Sequence, residues 1–422
     1  MVHCVHSSPD TRRYPATKWH SHISQKILCY VPLFVILKEM KKRTVKIFLT
    51  LFSVIVSLLI GEFIVGKYKH QMTYSEAYFY QMKCYARDDL LPFSLPKNYS
   101  CLMRDYNGVF NIRAQFNSLG YRGKEFLLNK PPNTTRILVL GDSFTFGIGV
   151  SDEETYPYQL EKILKEKGYS NTEVINAGYA DAFSPDSYYL YLKKRGLVLK
   201  PDIVILGFFV YNDISDLAET VWEKTDKDGL PEKISSCCHV VDGGILRNKM
   251  IDFKYKYPLL RDSQLFLLVV NTLNARFKLF KNPISMPTKD ELKLGCVMSP
   301  DCIHLFSAEE EKTYKVLKGI KDITQKENIP FLVVLIPLDH QLNPKDYNFW
   351  FIDTNNLDFI QKRIGKNLSE SGISYLDLYP IFDKQRGRGR PFLPKDLHFN
   401  ALGGQISAES IASYLVENKL IK

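Results

Sequence analysis

The sequence predicts an α/β protein, a three-layer α/β/α sandwich around a central parallel sheet of about five strands. Short apolar runs alternate with helical segments from residue 133 to the C-terminus. Such runs are typical of parallel strands buried on both faces, and the helices between them supply the crossovers that parallel pairing needs. The alternation stops between about residues 217 and 306, which predicts an insertion between strands 3 and 4.

The strands are predicted from apolar runs of strand length. In chain order they are Arg136–Leu140, Glu173–Asn176, Asp202–Val210, Pro330–Ile336 and Ser374–Leu378. The helices are predicted from apolar residues at helical spacing, from an N-cap serine followed by proline at Ser184, and from a capping-box pattern at Ser307. They cover Thr155–Gly168, Ser184 towards Lys194, a long segment from Ser307, Asn356–Glu370 and Ala401–Glu417, with an apolar candidate near Leu265–Leu279 in the insertion.

A signal anchor is predicted over residues 40–66. A basic cluster between Lys41 and Lys46 stands directly before Ile47–Ile60, which carries no charge. A basic flank before an apolar stretch is typical of a signal peptide or of a transmembrane anchor whose N-terminus stays inside. No clear small-x-small cleavage pattern follows, which favours the anchor over a cleaved signal.

The anchor divides the rest of the chain. Residues 1–39 are interpreted as an over-extended start, because Met40 opens a stretch typical of exported proteins, or as an extra cytoplasmic segment. Residues 67–132 are expected to form a membrane-proximal linker region. Residues 133–422 form the α/β domain, which includes the insertion at about 217–306.

The formal net charge of +10 is concentrated at the N-terminus. The first 46 residues hold nine basic and two acidic residues, so the remaining chain carries only +3. A nearly balanced body argues against general binding of polyanions. We therefore expect no nucleic-acid partner.

Six cysteines follow the anchor, namely Cys84, Cys101, Cys237, Cys238, Cys296 and Cys302. An even number beyond an export signal predicts disulfides in an oxidising compartment. Cys84 with Cys101 is the local pair. The connectivity of the other four is open, and because His239 and His304 flank them, a structural zinc site is the alternative.

Candidate catalytic residues lie where active sites of parallel sheets are found, beyond the carboxyl ends of the strands. Ser143 follows the first strand directly, so its hydroxyl can stand above the sheet edge beside a helix N-terminus. Asn212 ends the third strand, where its amide can donate to an oxyanion. Asp396 and His398 precede the last helix. His398 can act as a base, and Asp396 can be the carboxylate that fixes the tautomer of that base.

Each candidate has a structural alternative. Ser143 can be a helix N-cap, Asn212 a turn residue, and His398 a structural histidine, with His340 as the substitute base. The stretch around Ser143 is not Gly-x-Ser-x-Gly, which excludes a nucleophile elbow. No third glycine or Walker lysine accompanies Gly147 and Gly149, which argues against a phosphate-binding loop.

The chain contains three blocks, in the order Gly141-Asp142-Ser143, Tyr211-Asn212-Asp213 and Asp396-Leu397-His398. In this order they resemble the SGNH, or GDSL-type, hydrolase family, over roughly residues 117–422 apart from the insertion. The resemblance implies that Ser143 is the nucleophile, His398 the base and Asp396 its orienting carboxylate. It also implies that Asn212 donates to the oxyanion and that no metal or organic cofactor takes part.

The second block of the family supplies a glycine N–H to the oxyanion hole. Here the matching stretch runs from Asn176 to Asp181. Gly178 is present, but the expected spacing puts Asp181 at the donor position, where its N–H remains while its carboxylate repels an oxyanion. One residue separates Asp396 from His398, where many members of the family have two.

Three functions follow from the resemblance. The first is a membrane-anchored, extracytoplasmic esterase that acts on acylated glycans or lipids of the cell envelope. The second is an O-acyltransferase of the same fold, and the third is a non-catalytic glycan-binding protein, for which Asp181 is the argument. The basic run Lys384–Arg390 is either an anion-binding loop near the site or a solvated loop.

Overall fold

The structure is a computed structural model that describes residues 33–76, 82–105, 108–181, 183–249, 253–277, 296–346, 356–394 and 396–421. Two units are distinguished. The first comprises Met1–Met72 with Ser263–Thr272, and the second comprises Thr73–Asp262 with Leu273–Lys422. Of the doubtful N-terminal segment, residues 1–32 lie outside the described residues.

The first unit is built on a long helix, α1 (Leu33–Tyr68). Its stretch Lys41–Tyr68 has a mean hydropathy of 2.4 over its most apolar window, and by length and composition it can cross a membrane. Glu62 in this helix accepts hydrogen bonds from the Ser263 hydroxyl at 2.8 Å and from the Leu265 N–H at 3.0 Å. The carboxylate thereby caps the helix that begins at Gln264.

The second unit holds the described strands and the other helices. The strands are β1 (Tyr99–Arg104), β2 (Asn111–Phe116), β3 (Thr135–Gly141), β4 (Thr172–Gly178), β5 (Ile203–Phe209), β6 (Thr220–Thr225), β7 (Pro231–Ser236), β8 (His239–Asp242), β9 (Ile245–Asn248), β10 (Phe331–Ile336) and β11 (Ser374–Asp377). The helices after α1 are α2 (Ser143–Phe146), α3 (Tyr156–Glu166), α4 (Pro185–Tyr191), α5 (Gln264–Phe277, shared with the first unit), α6 (Ser307–Lys326), α7 (Asp339–Leu342), α8 (Phe359–Glu370), α9 (Tyr379–Lys384) and α10 (Ala401–Glu417).

A five-stranded parallel sheet in the order β11-β10-β5-β3-β4 forms the centre and confirms the predicted fold class. The chain moves outward from β3 to β4, then turns back across the sheet to β5. Because parallel crossovers are right-handed, this reversal puts α3 and α4 on opposite faces. Helix α10 contacts α3 and helix α6 contacts α4, which completes the three layers.

The reversal of direction lies between β3 and β5, which are hydrogen-bonded neighbours. Ligands of open α/β sheets bind in the crevice at such a switch point, beyond the carboxyl ends of the strands. β3 leads directly into Ser143, and β5 ends three residues before Asn212. The topology therefore brings two of the candidate residues to one crevice.

Residues 82–126 are part of the second unit. They contain the antiparallel hairpin of β1 and β2, and their buried side chains Phe93 and Met103 belong to the same hydrophobic core as the central strands. In the insertion, two further antiparallel hairpins form, β6 with β7 and β8 with β9.

Two predicted helix features are corrected. Ser307 is the first residue of α6 and follows a 3-10 turn over Ile303–Phe306, so the predicted capping box does not form. The helix that begins after Ser184 is α-helical only to Tyr191 and continues as a π turn over Leu192–Gly196.

The six cysteines after the anchor lie at disulfide distance in three pairs. They are Cys84–Cys101, Cys237–Cys238 and Cys296–Cys302. The first is the predicted local pair. Pairing of the other four leaves no thiolate for the zinc alternative, and among the described residues no three potential ligands are grouped around a common point.

Candidate active site

The turn after β3 presents Ser143. Gly141 has a φ of 152°, and a Cβ there would lie 2.1 Å from Thr145 Oγ1 and 2.8 Å from the Gly207 carbonyl oxygen. Only glycine fits this close approach. Asp142 then caps the short helix α2, because its Oδ1 accepts the Phe144 N–H at 3.0 Å. Ser143 thus occupies the first helical position, with its backbone N–H at a helix N-terminus.

Ser143, His398 and Asp396 form a continuous hydrogen-bonded chain. The Ser143 Oγ lies 2.8 Å from His398 Nε2, and His398 Nδ1 lies 2.7 Å from Asp396 Oδ1. Asp396 Oδ1 also accepts the backbone N–H of His398 at 2.8 Å, which locks the short turn between the two residues. The one-residue spacing therefore permits an Asp–His–Ser arrangement in this chain.

The surroundings favour the ionised form of Asp396. Partial burial acts to raise its pKa, but the hydrogen bonds and the charge of His398 outweigh burial, so the pKa lies below its ordinary value. The imidazole of His398 packs against the Phe144 ring at a centroid distance of 5.2 Å. Its orientation is thus fixed on one side by α2 and on the other by a carboxylate.

Of the three predicted oxyanion residues, Asn212 and Asp181 line the cavity that contains Ser143, and Gly178 does not. Asn212 lines the same cavity as Ser143, and its Nδ2 donates to Asp216 Oδ2 at 2.9 Å. Asp181 also lines this cavity, and the Tyr85 hydroxyl donates to its Oδ2. The Gly178 N–H instead donates to the Asn176 side chain at 2.9 Å.

Gly178 has a packing role. A Cβ at Gly178 would lie 2.3 Å from the backbone nitrogen of Phe146 and 2.6 Å from the carbonyl carbon of Thr145. The end of β4 therefore packs directly against the backbone of α2. This contact supports the helix that carries Ser143.

A cavity of about 520 Å³ opens above Ser143 and His398. Much of its wall comes from segments without a recognised sequence motif, the stretch before β3 and the insertion. These wall residues are Met82, Tyr85, Arg104, Phe110, Glu219, His239, Ile245 and Leu246, and Asp216 joins them from just before the insertion. Only the Tyr-Asn-Asp block that precedes Asp216 pointed to part of this wall, because the other residues follow no periodic or motif pattern.

Asp142 is buried beside Ser143. Its Oδ2 has no hydrogen-bond partner. Desolvation by burial raises the pKa of Asp142 to about 6, although the Phe144 N–H and the charge of His398 act against this rise. Asp213 is buried next to it and accepts the Tyr188 hydroxyl at 2.8 Å, and burial likewise raises its pKa.

The remaining sequence candidates lie away from the cavity. His340 is buried in α7 and is absent from the cavity wall, and burial lowers its pKa to about 4. The arginines of the run Lys384–Arg390 bind carboxylates of the protein itself: Arg386 pairs with Asp383, Arg388 with Glu409, and Arg390 with Asp339 and Asp346.

No family model and no curated protein matches the chain. Solved structures do match. The acetyl xylan esterase AlAXEase is 14% identical, with a TM-score of 0.33 over 66% of this chain and 99% of that chain. A putative lipolytic protein of the G-D-S-L family from Desulfitobacterium hafniense DCB-2 is 14% identical, with a TM-score of 0.34, and the match covers 66% of this chain and 99% of that chain. The lipase/acylhydrolase from Enterococcus faecalis is 14% identical, with a TM-score of 0.33, and the match covers 68% of this chain and 97% of that chain.

Proposed function

We propose that the protein is a serine esterase of the SGNH type that cleaves O-acyl groups from glycans or lipids of the cell envelope. The supporting observation is the hydrogen-bonded chain from Ser143 through His398 to Asp396 at the floor of an open cavity. A serine hydroxyl needs an adjacent base, and that base needs an acceptor on its other nitrogen. The three residues meet both requirements.

The proposed reaction is acyl transfer to Ser143. His398 Nε2 takes the hydroxyl proton as Oγ attacks the ester carbonyl carbon, and the protonated imidazole then gives this proton to the leaving alcohol. A water molecule, deprotonated by the same nitrogen, then attacks the acyl-serine, and the imidazolium returns the proton to Ser143 Oγ as the carboxylic acid is released. Asp396 stays ionised and stabilises the imidazolium, consistent with its lowered pKa.

The proposed oxyanion hole consists of the Ser143 N–H, the Asp181 N–H and the Asn212 amide. The Ser143 N–H lies at the start of α2, where helix N–H groups have no partner within the helix. The Asn212 Nδ2 carries two hydrogens, and Asp216 accepts one of them. Gly178, whose N–H is held by Asn176, supports α2 by packing.

An activated serine reacts with fluorophosphonates, which tests the proposal directly. The full-length chain in detergent should gain the mass of one adduct, and Ser143→Ala should abolish the adduct and the cleavage of acetyl esters. Ser410→Ala, on α10, is the matched control and should react like the wild type. Undiminished ester cleavage by Ser143→Ala would sink the assignment, and an unreactive wild type would favour the non-catalytic alternative.

A further inference from the structure

The wall of the cavity is rich in carboxylates. Asp142, Asp181, Asp216 and Glu219 line it together with Ser143. The cationic side chains in the same wall are Arg104 and, when protonated, His239 and His398. When the four carboxyl groups are ionised and the histidines are neutral, they face a single permanent positive charge, although the whole chain carries +10. The negative character is thus a local property of this cavity.

These carboxylates retain capacity to accept hydrogen bonds. Asp142 is 3% exposed, and its Oδ2 has no partner although the residue lines the cavity. Asp181 binds the Tyr85 hydroxyl through Oδ2, which leaves its Oδ1 for a ligand. Glu219 lies 3.7 Å from His239 Nδ1, beyond hydrogen-bond distance.

The carboxylates also disfavour one another's ionisation. Burial is the largest cause of the raised pKa of Asp216, and the charges of Glu219, Asp142 and Asp181 add to it. The pKa of Asp181 is likewise raised, chiefly by desolvation. A cationic group among them would relieve this repulsion, because it supplies the opposite charge.

We infer that the cavity selects ester substrates that carry an ammonium group on the alcohol side, such as O-acylated amino sugars. The inference deepens the proposed esterase function and rests on it. An ammonium supplies N–H donors and a positive charge, and the free oxygens of Asp181 and Glu219 can accept from it. A divalent cation fits less well, because no three potential ligands of the described residues are grouped around a common point.

Three sugar esters that differ at one position test the selectivity. The full-length chain is assayed at about pH 7 with 6-O-acetylglucosamine, 6-O-acetylglucose and 6-O-acetylglucose 2-sulfate, so that position 2 carries an ammonium, a hydroxyl or an anion. We expect kcat/KM to be about tenfold higher for the ammonium ester than for the neutral one, and lowest for the sulfate. The preference for the ammonium should shrink as salt is added.

Glu219→Gln isolates the contribution of one carboxylate. This change keeps the size of the side chain and removes one charge of several, so the ratio of kcat/KM for the ammonium ester to that for the neutral ester should fall about threefold. Glu223→Gln is the matched control, because Glu223 lies in the same insertion, pairs with Lys233 and is absent from the cavity wall. That variant should keep the wild-type ratio.

Equal kcat/KM for the ammonium and neutral esters overturns the inference and leaves the esterase function intact. A ratio that Glu219→Gln and Glu223→Gln change alike overturns it too. If none of the three esters is cleaved by wild-type chain whose Ser143 remains unreactive to fluorophosphonate, the esterase proposal fails and the inference fails with it.

Discussion

The two carboxylate oxygens of Asp142, which follows β3, have different surroundings. One oxygen caps α2, while the other is buried without a partner. An ionised carboxylate in such a position destabilises the native state, because burial removes its hydration. Its pKa is accordingly raised to about 6 from the usual value near 3.8.

The raised pKa of Asp142 predicts a pH-dependent cost to stability. The native state holds the proton of Asp142 more tightly than the unfolded chain, so the contribution of Asp142 to stability is greatest below about pH 4 and falls as the pH rises to about 6. Asp142→Asn keeps a cap oxygen and removes the charge. At pH 7 we expect it to raise the free energy of unfolding by roughly 1–3 kcal/mol, and to have little effect at pH 4.

Urea unfolding of the wild type and of Asp142→Asn over this pH range measures the difference. Asp228→Asn, an exposed aspartate in the insertion, is the control and should change stability little at either pH. An equal gain for Asp142→Asn at both pH values would contradict the electrostatic origin of the effect.

At the scale of elements, the buried guanidinium of Arg122 holds the loop that follows α2. It donates to the carbonyl oxygens of Phe146 at 2.8 Å and Val150 at 2.6 Å, and its Nε donates to Asp152 Oδ1 at 2.7 Å. The Arg122 side chain is 1% exposed. A loop of this kind, with few regular hydrogen bonds, depends on such side-chain donors to hold its carbonyl groups.

Arg122→Met should therefore loosen the support of α2, the helix that carries Ser143. Removing the guanidinium leaves buried carbonyl oxygens and the Asp152 carboxylate without their partner, which costs about 3–5 kcal/mol of stability. We expect faster hydrogen exchange over residues 147–155 and a lower kcat. Arg113→Met, at an exposed position of β2, is the control. If Arg122→Met and Arg113→Met exchange alike, Arg122 does not hold this loop.

The strands of the central sheet could be predicted from the sequence, and the hairpin strands of the insertion could not. β3, β5 and β10 are buried along nearly their whole length, so each appears as an apolar run. The hairpin strands β6 and β8 have mostly exposed or half-buried side chains, which leaves no such run. Their pairing depends on contacts between neighbouring strands, and composition alone does not encode it.

At the scale of the whole molecule, the residues at the floor of the cavity could be predicted from the sequence and those of its wall could not, for the same reason. Ser143, Asn212 and His398 each lie beside the end of a predicted element, so the order of strands and helices along the chain is enough to predict that they meet. Tyr85 and His239 approach the site from segments far from it in sequence. No local pattern records such an approach, so these wall residues could not be predicted from the sequence.

The molecule as a whole combines a basic N-terminal flank, an apolar helix and three cysteine pairs, from which we propose an anchored domain outside the cytoplasm. Positive residues stay on the cytoplasmic side, so the chain beyond α1 should lie on the other side, where disulfides persist.

In denatured samples prepared from intact cells, maleimide-PEG should label none of the six cysteines until a reductant is added. Cys84→Ala should expose one new thiol at Cys101 and lower stability by about 3 kcal/mol, because their sequence separation is 17 residues. Labelling of all six without reductant would place the domain in a reducing compartment.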